Sequence, residues 1–374
     1  MAYPILTGAV LVEANGAALN NAGQAEDVRV ANAIVVKQIR IGRLRYPYVS
    51  GQAWRRWWRE VLYEDFSWEP SPVTVIRQPQ QAFTAGDPIR YAEDDLFGYM
   101  VARRRARRGR KGVEAEGESG PEEAAGTFRR IAPLKNSLLI SVLPNVIERD
   151  FGHFTRNLPP DSDPLLYYAE HYTTYLQGTF TISLTDVGQF EVGEMYDLSE
   201  DIVQTHKDGL ERLNDRIYRL PRSIRIERVQ QVVKALAQLR GGAHLARNLS
   251  DVAPVVVLVG FLDGGNAPLQ RLFEPDENNE RVHLNLTRLR SVLNDYQDRL
   301  LHLDSEKPLY FGCRPTVLAN EAETMSAFRN DQPFCNCIEV AETPQRALER
   351  AAKNVESVYH RYVHRESGDN NADP

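Results

Sequence analysis

Six consecutive positions, Trp54 to Arg59, hold three tryptophans and three arginines in the order WRRWWR, behind a Ser50-Gly51-Gln52 entry. Arginine's planar donors grip phosphate oxygens in pairs and keep their charge at any physiological pH. The chemistry these residues suggest is therefore the capture of a polyanion, provided that something fixes the guanidinium groups in space.

The spacing supplies a candidate support. Trp54, Trp57, Trp58, Val61 and Leu62 recur at the interval of an amphipathic helix. Ser50 is a suitable N-cap, because its hydroxyl can accept from an otherwise unpaired first-turn amide. At about 100° per residue, Arg55, Arg56 and Arg59 fall on the arc opposite the tryptophans. Two readings follow. One is a half-buried surface helix with solvated arginines, which Glu60 and Glu64 compensate only slightly. The other is a rigid phosphate clamp, helped by helix amides that favour anions.

The preceding stretch adds cations. Val28, Val30, Ala31, Ile34, Val35 and Val36 form a strand-like run, followed by alternation through Lys37, Ile39, Arg40, Ile41, Arg43, Leu44 and Arg45. Lys37, Arg43 and Arg45 share parity along an extended chain. Arg40 takes the other face unless Gly42 bends the strand. With Tyr46 and Tyr48 between strand and helix, this is a track suited to a sugar-phosphate backbone.

The whole chain narrows the classes. Its 374 residues are 42% apolar and 26% charged, as in ordinary globular proteins. A formal net charge of −6 excludes a globally basic nucleic-acid binder, so any such surface must be local. No run approaches the ~18 apolar residues of a membrane span, and the opening residues lack a basic leader. A cytoplasmic protein with no membrane partner is expected. Cys313, Cys335 and Cys337 suit neither a disulfide framework nor a zinc finger, and read as reduced structural thiols.

Further stretches carry a family resemblance. ALNNAG at 18–23, the strand ending in Lys37, and YPYVSGQAWRRWWRE at 46–60 are the first. RIAPLKNSLLISVLP at 130–144, DFGHFTRN at 150–157, HYTTYLQGTFTISLTDVGQF at 171–190 and LRGGAHLARNLSDVAPVVVLVGF at 239–261 follow in order. Together, over roughly residues 5–265, they resemble the crRNA-binding backbone subunit of type I CRISPR Cascade complexes, in the DevR-type autoregulator family and of type I-B-like character. The insertion at 101–126 and the C-terminal third have no counterpart in that resemblance.

The resemblance implies an α+β fold: a modified RNA-recognition (ferredoxin-like) palm with a fingers insertion and a thumb loop. It implies copies of the chain stacked in a helical filament along one guide crRNA. They would grip its backbone without reading sequence, beside other Cascade subunits and without cleavage. The thumb would kink the guide at intervals, and the segments between kinks would pair with target DNA. On this sequence the implied RNA-binding positions are Asn20, Asn21, Lys37, Ser50, Gln52, Arg55 and Arg56. Arg40 and Arg59 join them by geometry, and His153 and Arg156 through the thumb. The implied layout places the palm's first half at 1–64 and fingers at 65–149. The thumb-like loop covers 150–177, the palm's second half and C-terminal helix 178–365, and a disordered tail 366–374.

The remaining elements are read from pattern. Strands are expected near Ile5–Glu13, at 179–184 and at 253–262, with a helix carrying apolar residues from Ile226 to Leu239 and stopping at Gly241. The resulting sheet is expected to be covered on one face. Gly241 and Gly242 suit a helix cap or a close approach to RNA. Seven of nine residues from Arg103 to Lys111 are basic and five glutamates follow, so 101–126 is expected to be disordered, as a mobile arm or a solvated linker. Thr343-Pro344 starts a final helix whose stripe from Leu348 to Tyr362 suits core packing or a subunit contact.

Enzyme motifs are missing. Asp150-Phe151-Gly152 has the letters of a kinase magnesium motif, but no glycine-rich loop or catalytic loop accompanies it, and no GxxxxGK[ST] or HExxH occurs. No catalytic residue, metal or cofactor is expected. The alternative function is an RNA- or DNA-binding regulator on the same palm that forms no guide-bound filament.

Overall fold

The run Pro4–Ala17 forms a single long strand, β1, because its apolar residues serve both sides of a sheet. In the computed structural model, which describes residues 3–23, 33–77, 80–104, 124–155, 157–159, 163–303 and 306–363, β1 lies at the centre of that sheet. Short strands β2 (Asn21–Gly23), β3 (Ala33–Val36), β4 (Gln38–Ile41) and β5 (Leu44–Val49) lead into helix α1 (Gly51–Phe66). Helix α2 (Ala92–Phe97) precedes β6 (Leu134–Asn136) and β7 (Leu139–Ser141). A ribbon of β8 (Ile147–Phe154) and β9 (Leu165–Ser183) comes next, then helix α3 (Arg222–Leu236) and β10 (Pro254–Asp263).

β1 pairs antiparallel with both β9 and β10, and β9 pairs antiparallel with β6 and β7. The connections β1–α1–β7 and β9–α3–β10 therefore give the order β10-β1-β9-β7, the arrangement of a ferredoxin-like βαββαβ unit. The fold is α+β. Strands β5 and β4 extend the sheet beyond β7. Past β10 it continues through β11 (Leu309–Cys313) and β12 (Ile338–Val340).

The sheet is covered on both faces, not on one. Leu6, Val10 and Phe180 pack with α1, α3 and the final helix α4 (Pro344–Tyr362). Ile5, Ala9, Leu11 and Leu258 pack instead against the C-terminal third, including Leu289, Leu293, Phe311 and Phe328. Continuous burial along β1 and β10 is the physical cause, since a strand apolar at every position needs cover on each side. Helix α4 is capped by Thr343 Oγ1 and buries Leu348, Ala351, Ala352, Val355, Val358 and Tyr359, so this stripe is core.

Other expectations change in detail. Among the described residues, the loop expected over 150–177 is mostly strand, because Ile147 to Phe154 pair with Tyr172 back to Leu165. Helix α3 ends at Leu236, and Gly241 lies beyond it at φ +156°. A β-carbon there would sit 2.2 Å from the Trp57 ring, so the glycine serves packing against α1. Of the run expected to be disordered, Tyr99–Arg104 and Ala124–Arg130 pair as a hairpin, while 105–123 lie outside the described residues. The tail from 364 lies outside them too. Among the described residues no helix is long and apolar enough to cross a membrane.

Candidate nucleic-acid interface

Three indoles hold α1 in place. Trp54 and Trp58 stack with ring centroids 5.8 Å apart, and Trp58 meets Phe180 edge-on at 5.6 Å. Trp58 Nε1 also donates to Val232 O at 2.8 Å, fastening α1 to α3. With Trp57, Val61 and Leu62 also buried, the helix has little freedom to move.

Its entry is fixed as firmly. Ser50 Oγ accepts from Ala53 N, and Ser50 N donates to Asn20 Oδ1 at 2.9 Å. Lys37 N donates to Asn20 O at 2.9 Å, and Tyr48 N donates to Lys37 O. One asparagine thus joins the end of β1, the Lys37 junction and the start of α1. Asn21 faces His244, with Asn21 Nδ2 and His244 Nε2 2.7 Å apart. His244 was absent from the sequence-based set, although it lies in the LRGGAHLARN stretch.

The three arginines do not stand as one free fork. Arg55 Nη1 donates to Leu134 O at 2.8 Å and to Asn136 Oδ1 at 3.1 Å, while Nη2 donates to Phe97 O at 2.7 Å. Burial, with Arg59 nearby, lowers its pKa to about 10, so it remains charged at neutral pH. The chain at 97 and at 134–136 crosses the helix face that periodicity alone leaves open. Arg55 is therefore a strut, and the expectation that it stands exposed is corrected. Arg56 is the exposed member, its side chain 74% accessible and held by Glu60 at 2.7 Å. An exposed pair of this kind contributes about 0.3–0.5 kcal/mol and yields readily to a better anion. Arg59 lies 3.7 Å from Glu93, and the Phe97 ring sits beneath both Arg55 and Arg59.

Beside the first turn of α1 is an open cleft of about 550 Å³ lined by Ser50, Gln52, Arg55, Arg59, Lys135 and Asn136. Gln52 and Lys135 are exposed, so an amide and an ammonium face solvent at the amide-rich end of the helix. Lys135 was not among the sequence-based residues, because nothing in its neighbourhood marks a strand running past α1.

The basic strand is a hairpin. The chain turns at Gly42, φ +62°, which aligns Arg40 opposite Arg45. Arg40, Arg43 and Arg45 are exposed and Lys37 is half-buried. His153 is exposed on β8 opposite Leu166, away from the α1 cleft's lining, and Arg156 lies outside the described residues. The structure thus brings Asn20, Lys37, Ser50, Gln52, Arg55 and Arg59 around the start of α1. It turns Arg56 outward and places Asn21 beside His244.

Residues 8–264 match the family described as "CRISPR-associated negative auto-regulator DevR/Csa2". No curated protein matches the chain. Among solved structures, a chain of a "CRISPR RNA-guided surveillance complex" aligns over 93% of this chain and 98% of its own, at 12% identity and TM-score 0.46. A chain of a "CRISPR RNA-guided surveillance complex, pre-nicking" aligns over 94% and 100%, at 9% identity and TM-score 0.46.

Proposed function

This chain belongs to the CRISPR-associated DevR/Csa2 family, and from that premise we propose that it is a non-catalytic backbone subunit of a Cascade-type effector. Copies of it polymerise along guide crRNA beside other Cascade subunits, hold the sugar-phosphate backbone without reading sequence, and leave guide segments free to pair with target DNA. The observation that carries this reading is the cleft at the start of α1. There an indole-anchored helix end, Gln52, Lys135 and Arg59 surround a space open to solvent. Such a site offers donors to phosphate oxygens.

The covered sheet bears on the mode of binding. An RNA-recognition domain stacks bases on an open sheet face. Here the C-terminal third packs on one face and three helices on the other. Binding at the helix end and along the β4–β5 ribbon suits a backbone grip better than base stacking on the sheet.

Expression of the chain by itself tests the reading. A backbone subunit co-purifies with nucleic acid and runs as a ladder of oligomers that nuclease treatment collapses. A discrete species that binds one duplex sequence would instead identify the regulator named in the family's description.

A further inference from the structure

We propose that the β4–β5 ribbon carries a second phosphate subsite, formed by Arg40 and Arg45 with Arg149 at its rim, for single-stranded RNA running from the α1 cleft. The inference rests on the functional reading above and deepens it by assigning Arg45 and Arg149, with Arg40, to one site on the ribbon.

The register is the first observation. Arg40 and Arg45 are directly opposite on a two-stranded ribbon, and both are exposed. Side chains so placed have β-carbons about 5 Å apart, and like charges at that spacing repel. Neither arginine forms an ion pair with an acid among the described residues, so no such pair there offsets the repulsion. An anion seated between them would relieve it.

The second observation is a shaped wall. Gln38 and Arg45 line a cleft of about 420 Å³ together with Asn145, Glu148, Arg149 and Glu170. Asn145 fixes the ribbon there: Asn145 N donates to Arg45 O at 2.7 Å, and Arg45 N donates to Asn145 Oδ1 at 3.0 Å. Glu170 is 4% exposed, and its two oxygens accept from Val36 N and Arg149 Nε. Its charge is therefore already engaged in orienting Arg149. The Arg149 guanidinium lies over the Tyr168 ring, with 66% of its side chain accessible. Within the cleft Arg45 and Arg149 offset Glu148 and Glu170, and the exposed Arg40, opposite Arg45 on the ribbon, adds the excess charge.

Connection along β5 decides the ligand. Arg45 and Ser50 are separated by five residues, about 16 Å of extended chain. A free phosphate ion could occupy one site only, whereas a single strand of nucleic acid reaches both.

The test uses the full chain stripped of nucleic acid, with labelled oligouridine titrated over a series of salt concentrations. For Arg40→Gln with Arg45→Gln, the slope of log affinity against log salt should fall in magnitude by about 0.7, the value for one phosphate contact on a single strand. The charge-keeping pair Arg40→Lys with Arg45→Lys should retain the slope. The thermal midpoint of the glutamine pair should match or exceed that of the unsubstituted chain, because a repulsion has been removed. Inorganic phosphate at matched ionic strength should compete poorly with oligouridine at both sites. An unchanged slope in the glutamine pair, alongside a reduced slope in Lys135→Gln, would overturn the second subsite and leave the α1 cleft standing. If neither variant lowers the slope, the functional reading fails and this inference falls with it.

Discussion

Arg55→Ala separates a strut from a phosphate clamp. The side chain makes three hydrogen bonds of 2.7–3.1 Å, to Phe97 O, Leu134 O and Asn136 Oδ1, across two distant stretches of chain. Hydrogen bonds to charged groups contribute about 1.5–3 kcal/mol each. The acceptors here border an open cleft, so water can replace part of what is lost. A loss of about 2–4 kcal/mol on urea unfolding is therefore expected, below the threefold sum of about 4.5–9 kcal/mol. Tryptophan fluorescence is the natural probe, because Trp54, Trp57 and Trp58 lie on the same helix. Arg55→Lys should recover only a minor part, since one ammonium cannot reproduce the planar fork. Arg56→Ala should change stability by less than ~0.5 kcal/mol, as its exposed pair with Glu60 implies. If Arg55→Ala unfolded within that same margin of the unsubstituted chain, the strut would be refuted.

Trp58→Ala should lose about 3–5 kcal/mol of stability on urea unfolding, because a fully buried indole, its stacking and its bond to Val232 O go together. Asp95 is buried between Arg130 and Arg228, so Asp95→Asn should lose about 3–5 kcal/mol in the same assay by leaving two buried cations undercompensated. Burial raises the Asp197 carboxyl above its ordinary value, outweighing Arg130 at 3.4 Å. The folded state then holds that proton more tightly than the unfolded one. Stability contributed by Asp197 should fall as pH rises from about 4 through the raised value. Asp197→Asn should flatten that part of the stability profile, measured as urea midpoints across the acid range.

Local pattern made α1 readable. Its tryptophan stripe and Ser50 cap follow from residues within one helix length, and the Thr343-Pro344 start of α4 is of the same kind. Arg55 was misplaced because its partners lie 42 to 81 residues away in sequence. Periodicity fixes the direction in which a side chain leaves a helix and says nothing of what crosses above it. The Gly42 turn could be anticipated as a bend, but its consequence, Arg40 facing Arg45, depends on strand register. The second covered face was foreshadowed by the apolar residues on both faces of β1, Ile5, Leu6, Ala9, Val10, Leu11 and Val12. Identifying its cover required the C-terminal third, which packs through scattered residues such as Leu289, Phe311 and Phe328. The Asp95 hub escaped for a similar reason, since AEDDLF looks like an acidic surface turn until two arginines from distant elements close on it.

Affinity for two unrelated single-stranded RNAs of equal length, followed over a salt series, tests the backbone grip most directly. Equal affinities should weaken together with salt, with a common log–log slope that shrinks by about 0.7 in Lys135→Gln. A strong preference for one sequence, or affinity indifferent to salt, would contradict a subunit that holds RNA by its phosphates.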